Sequence, residues 1–184
     1  MKQFILVLSS LLLLSFALAP DTQKVVDHAK WQTTQQVTYD GSYRKIGYPN
    51  GDVPANIGVC TDVIIRAYRS INQDLQKLMH QDIVANPKAY KIIKADRNID
   101  HRRVRNMKRF LKRKGAELAI SDPYLPGDIV FWNIAVGHVG IVVDVKVPGT
   151  DRYYIVHNIG AGPKMEDFLY SATIVGHYRW WPTK

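Results

Sequence analysis

Pro126-Gly127-Asp128-Ile129-Val130-Phe131-Trp132 and, after a short loop, Gly137-His138-Val139-Gly140-Ile141-Val142-Val143-Asp144-Val145 decide how this chain is read. Pro-Gly-Asp is turn chemistry, and the β-branched and aromatic runs that follow it and Gly137 are strand chemistry. Two further strands are expected downstream, at Tyr153 to His157 and Thr173 to Trp181. Upstream of Gly115 the apolar spacing turns helical. Val25 to Gln36 reads as a short helix packed on the outside, and Thr38 to Asn56 as turns and loop. Cys60 to about Ile71 is the firmest helix; Gln73 to Ala85 is a second, with Leu75, Leu78, Met79 and Ile83 on one stripe. A third runs from His101 to Lys114, with Asp100 as its N-cap and Gly115 as its stop. Helices first and an antiparallel sheet afterwards make an α+β layout.

The chain has 184 residues, a formal net charge of +9 and a single cysteine, Cys60. Residues 1–19 have the form of an export signal: Lys2 ahead of an apolar run, then Ala17-Leu18-Ala19 as a cleavage site. Pro20 would be an awkward first mature residue, so cleavage after Ala17 or retention as an anchor stays open. Residues 20–184 are expected to form one domain, periplasmic or secreted, with no further membrane span. One cysteine makes no internal disulfide, so packing must hold the fold. The positive balance favours polyanions or anionic surfaces. For an exported chain these are cell-wall polymer or lipid headgroups, and nucleic acid is not expected.

An unpaired cysteine in an oxidising compartment marks an intermolecular bridge or a reactive thiol. Cys60 is expected at the first turn of a helix, where free N–H groups and the dipole favour a thiolate. A thiol nucleophile needs an imidazole base, and the base a polar group to hold its ring. His138 opens one apolar strand and His157 closes another, so thiol, base and orienter meet if these strands are neighbours under the Cys60 helix. Alternation places His157 and Asn158 on opposite faces, both apolar, and does not choose between them as orienter.

The segment Pro126-Gly127-Asp128-Ile129-Val130-Phe131 with Gly137-His138-Val139-Gly140-Ile141-Val142 resembles the strands around the catalytic histidine of NlpC-type papain-like cell-wall cysteine peptidases. Tyr48 and Gly51, ahead of Cys60, resemble the tyrosine and glycine preceding the nucleophile there. His157 is similar to that family's third polar residue. Gly58-Val59-Cys60-Thr61-Asp62 and Asp100-His101-Arg102-Arg103 resemble a narrower group within the superfamily, the YijF-like domain of unknown function. The usual aspartate and serine flanking the cysteine are replaced here by Val59 and Thr61, and the insert from Gln73 to Ala119 is long and basic.

The resemblance implies Cys60, His138 and His157 as a catalytic trio, with the Cys60 amide as oxyanion donor and no cofactor. Tyr48 and Asp62 are placed on the substrate side of the site. A carboxylate beside Cys60 opposes thiolate formation, so Asp62 is given no catalytic part. No histidine spacing supports a metal site. The segment His101 to Lys114 reads first as a solvated helix face with Val104, Met107, Phe110 and Leu111 packed inward; a cationic lip over the cleft and an internal ion-pair cluster are its other readings. The expected function is hydrolysis of an amide bond in peptidoglycan stem peptide by a monomer, with acyl transfer by the same thioester not distinguished. The rival is a non-catalytic envelope-binding module that holds anionic wall or lipid with the basic helix.

Overall fold

The computed structural model describes residues 18–181, so the export segment read in residues 1–19 lies almost wholly outside the described residues. Helix α1 spans Pro20–Gln32. Pro20 occupies the first turn, where its missing N–H costs nothing. The helix starts five residues earlier than its apolar pattern predicts; it packs on the outside of the core with Lys24, Asp27 and Trp31 exposed. Val25, Val26 and Ala29 are fully buried in the main core, and Gln32 Nε2 donates to the carbonyl of Val63 at 3.0 Å.

The following loop carries β1 (Thr38–Tyr39), which pairs in parallel with β2 (Ile57–Gly58), Tyr39 opposite Gly58. This short pairing brings Tyr39 beside the start of helix α2 (Cys60–Arg69). Cys60 to Ile65 are all buried in α2. Helix α3 (Leu75–Ala85) is capped by Asp74, whose carboxylate accepts from the Lys77 amide at 3.0 Å. Its i, i+4, i+8 stripe Leu75, Met79, Ile83 is buried as the spacing predicts. A short helix α4 (Pro87–Tyr90) follows. The expected third helix is broken in two: a 3₁₀ turn at Asp100–Arg102, an extended Arg103, and α5 (Val104–Arg113). Asp100 is therefore not its cap; the carboxylate accepts from the Asp96 amide instead.

Strands β3 (Glu117–Leu118), β4 (Ile129–Trp132), β5 (His138–Lys146), β6 (Tyr153–Asn158), β7 (Pro163–Glu166) and β8 (Ile174–Tyr178) form one sheet in the order β3-β8-β4-β5-β6-β7, every neighbouring pair antiparallel. The fold is α+β, with N-terminal helices on a C-terminal antiparallel sheet. One sheet face, including Ile129, Phe131, Val139, Ile141, Val143 and Val156, packs on the helices. The other, with Val130, Trp132, Val142 and Ile155, is covered by Leu169 and the chain around Phe168. Both faces are apolar, which is why strand period alone does not separate His157 from Asn158. Among the described residues no helix is long and apolar enough to cross a membrane.

Candidate active site

Cys60 is the first helical residue of α2 and is 3% exposed. Its N-terminal position follows from local chemistry: Val59 is extended, and the Asp62 carboxylate accepts the Val59 amide at 2.7 Å, closing the first turn. The sulfur meets the backbone N–H groups of Val139, Thr61 and Cys60 itself. The Val139 contact holds the thiol at the start of β5, on the sheet face that packs on the helices; the His138 ring stands on the other face, beside Trp132 and Phe168.

His138 and His157 are brought together by register. Gly140 lies opposite His157, so His138 is its diagonal neighbour on the same face. A Cβ on Gly140 would stand 2.7 Å from Ile155 Cγ2 and 3.0 Å from His157 Cβ, so the glycine leaves room for the imidazole. Gly137, at φ +102, turns the chain into the strand just before His138 in a conformation that favours glycine. His138 Nε2 lies 2.8 Å from His157 Nδ1, and His157 Nε2 lies 2.9 Å from Glu166 Oε2. Asn158 turns the other way, donating to the Gly58 carbonyl at 3.3 Å and accepting from the Gly160 amide. His157, not Asn158, is the residue in contact with His138.

The tautomers follow from the partners. A carboxylate accepts, so the proton on neutral His157 sits on Nε2 and its Nδ1 offers a lone pair. His138 then donates from Nε2, leaving a lone pair on Nδ1. That nitrogen makes no hydrogen bond among the described residues. Phe168 (4.2 Å from the His157 ring) and Trp132 (5.8 Å from the His138 ring) wall the two imidazoles. Burial, and then the neighbouring His157, push His138 down to about 4. Burial also lowers His157, with Glu166 opposing.

The thiol departs from expectation. Burial pushes Cys60 up to about 11, outweighing the three N–H groups that favour its anion. The resting pair is therefore a neutral thiol and a neutral imidazole, rather than the helix-stabilised thiolate predicted from the position of Cys60. Among the described residues no hydrogen bond joins the two side chains; such contacts commonly close only when substrate binds.

Two predicted substrate residues stand elsewhere. Asp62 is 2% exposed and, besides capping α2, takes Arg102 Nε at 2.9 Å and Nη2 at 2.8 Å. Its oxygens are occupied inside the protein, so it holds the cleft wall from behind and does not meet substrate. Tyr48 packs edge-on against His80 at 5.3 Å, under the Arg97 guanidinium, and does not line the cleft over Cys60. The tyrosine that does is Tyr39. Burial and then the nearby Cys60 raise its pKa, so its hydroxyl keeps its proton. The cleft holds about 210 Å³ between Tyr39, Gly41, Cys60, Ile99, the Arg102 to Arg105 segment and the Val136-Gly137 turn.

Sequence reasoning missed Tyr39 and Glu166. Tyr39 has an available signal, since Thr38-Tyr39 is a short extended pair amid turn residues. Pro163-Lys164-Met165-Glu166 has none: it lacks the β-branched alternation of a strand and reads as loop.

Residues 26–180 match the family described as "Domain of unknown function (DUF1287)". The chain belongs to this family. It is 42% identical over 166 residues to the protein described as "Uncharacterized protein YijF" from Escherichia coli (strain K12), covering 85% of this chain and 80% of that one. This DUF1287 chain also matches the solved "Structure of NlpC1 from Trichomonas vaginalis" at a TM-score of 0.49 and 16% identity, over 91% of its own length and 47% of that chain. So distant a likeness carries no functional weight.

Proposed function

We propose that this protein is an exported cysteine hydrolase of amide bonds, acting on peptidoglycan stem peptide, with a papain-like Cys60–His138–His157 site completed by Glu166. The observation that carries this reading is the chain from Glu166 through His157 to His138. It leaves one basic lone pair, on His138 Nδ1, in the residue that precedes Val139, whose amide meets the thiol of Cys60.

The reaction begins as a general-base attack because both groups rest neutral. As substrate closes on the cleft, the Cys60 proton passes to His138 Nδ1 while the sulfur lone pair forms a bond to the carbonyl carbon. The displaced π pair moves onto the oxygen, where the Cys60 N–H, free of any helical acceptor, stabilises it. Tyr39 lines the same cleft, and its hydroxyl serves as a second donor. Collapse breaks the C–N bond, and the amine leaves with the proton from His138. Water, deprotonated by the same nitrogen, then cleaves the thioester to a carboxylate and restores the thiol. His157 spreads the charge of the transient imidazolium toward Glu166. The apolar run of residues 4–16, with Lys2 before it, supports an exported place of action.

The test is incubation of purified protein with muropeptides, with products read by mass spectrometry. Wild type should release a defined amine and carboxylate pair, and Cys60→Ala should release none. No product, with full binding to wall polymer retained by Cys60→Ala, would leave the envelope-binding module as the better reading.

A further inference from the structure

The basic stretch that follows the 3₁₀ turn does not present one uniform charged face. Arg102 is internal, paired with Asp62. Lys108 reaches the Val175 carbonyl and Arg109 the Tyr90 carbonyl. Lys112 pairs with Glu117 at 2.8 Å and Arg113 with Asp82 at 2.7 Å. Arg103 and Arg105 differ. Both are exposed, neither guanidinium makes a hydrogen bond or ion pair among the described residues, and both line the cleft over Cys60. Asp96 and Asp100 lie within electrostatic reach of Arg103 without pairing with it. No carboxylate lines the cleft. Arg102, its charge already matched by Asp62, also borders the cleft, and the rest of the wall is Tyr39 and small or aliphatic residues such as Val59, Ile99, Val104 and Val136.

We infer that Arg103 and Arg105 select a peptide segment carrying a carboxylate next to the bond that is cut. This rests on the hydrolase reading for the bond, but the charge selection stands on the cleft alone. A guanidinium offers a planar fork of donors that fits a carboxylate. The aliphatic walls beside it suit the methyl and methylene groups of short amino acids, a combination that favours an acidic peptide over a phosphate headgroup. A neutral or amidated peptide leaves both cations unmatched.

The experiment compares alkylation of Cys60 by iodoacetate and iodoacetamide, which differ by one carboxylate, in full-length protein at low salt. The iodoacetate-to-iodoacetamide rate ratio should fall about five- to tenfold in the Arg103→Gln/Arg105→Gln double variant, survive in Arg103→Lys/Arg105→Lys, and fade in wild type at high salt. An acidic tripeptide should protect Cys60 where its amidated form does not. A ratio indifferent to both substitutions overturns the selection and leaves the hydrolase reading standing. An arginine-dependent ratio in protein that cleaves no muropeptide keeps the selection and overturns the hydrolase. A thiol inert to both reagents even near pH 11, where it ionises, is closed to the cleft and overturns both. Protection by inorganic phosphate as strong as by the acidic tripeptide overturns the peptide assignment.

Discussion

His177 and His138 sit on the two strands that flank β4, both buried, and both in apolar runs that begin or end at a turn. Their surroundings are opposite. His177 has an acceptor on each side: Asp128 Oδ2 at 2.8 Å from Nε2 and the Ala119 carbonyl at 3.1 Å from Nδ1. Tyr124 stacks on its ring at 4.1 Å. Asp128 in turn accepts from Arg179 at 2.7 and 2.9 Å and from the Leu125 amide at 2.8 Å. Both ring nitrogens of His177 and both oxygens of Asp128 are used, and the cluster clasps β8 to the turn before β4. His138 is tied at one nitrogen only, through an imidazole relay that ends on a half-exposed carboxylate. A buried histidine closed on both sides holds a fold; one left open at a single nitrogen keeps a lone pair that the packing does not use.

The sharpest way to break this contrast is to remove each ring in turn. His138→Ala should cut kcat/KM for stem peptide by up to about 10⁴, the upper range for a lost acid–base group. Its melting temperature should fall by less than that of the clasp variant below, because the ring's only hydrogen bond is to His157. Retained turnover would erase the distinction. Asp128→Ala should do the reverse. It strands buried His177 and part of Arg179, costing on the order of 3 kcal/mol in urea denaturation, while kcat/KM of the folded fraction stays near wild type. A stable Asp128→Ala protein would mean that the closed cluster contributes less than its geometry implies.

How far the sequence carried depends on whether a contact is local. The strands at Ile129, His138 and Tyr153 are written in runs of β-branched and aromatic residues, and the helix start at Cys60 in the Val59-to-Asp62 turn. Those were legible, as was the α+β order. The broken third helix was not. Its basic residues are good helix formers, but Arg102 is drawn inward by Asp62, forty positions away, and the chain must straighten at Arg103 to deliver it. The choice of His157 over Asn158 needed the register with Gly140, which no period encodes when both faces are dry. Asp62 shows the same limit in a single side chain: a charge next to a nucleophile suggests substrate contact until its buried arginine is seen. The resting state of the thiol was misread for a related reason. A helix start favours an anion, but the depth of burial that overrides it is a tertiary property.

The smallest expected effect probes the far end of the relay. Glu166 touches His157 and not the thiol, so it is a positioning residue, and its loss should act through the tautomers. Glu166→Leu removes the acceptor that fixes the His157 proton on Nε2; a lost hydrogen bond of about 1 kcal/mol predicts a five- to tenfold lower kcat with KM little changed. Glu166→Gln keeps an acceptor oxygen and should restore most of the rate, which a merely steric role would not predict. The pH profile supplies an independent reading. His138 must be neutral to take the proton, so wild-type kcat/KM should rise through about pH 4 and stay level across neutrality, well below the ionisation of Cys60 near 11. Because His138 and His157 bind protons less readily folded than unfolded, their contribution to stability is present above about pH 6.5 and lost as pH falls toward 4. Urea melts at each pH therefore separate the kinetic limb from unfolding. An acid limb near 6.5 in protein that is still folded would place His138 in water, and the enclosed relay would fail with it.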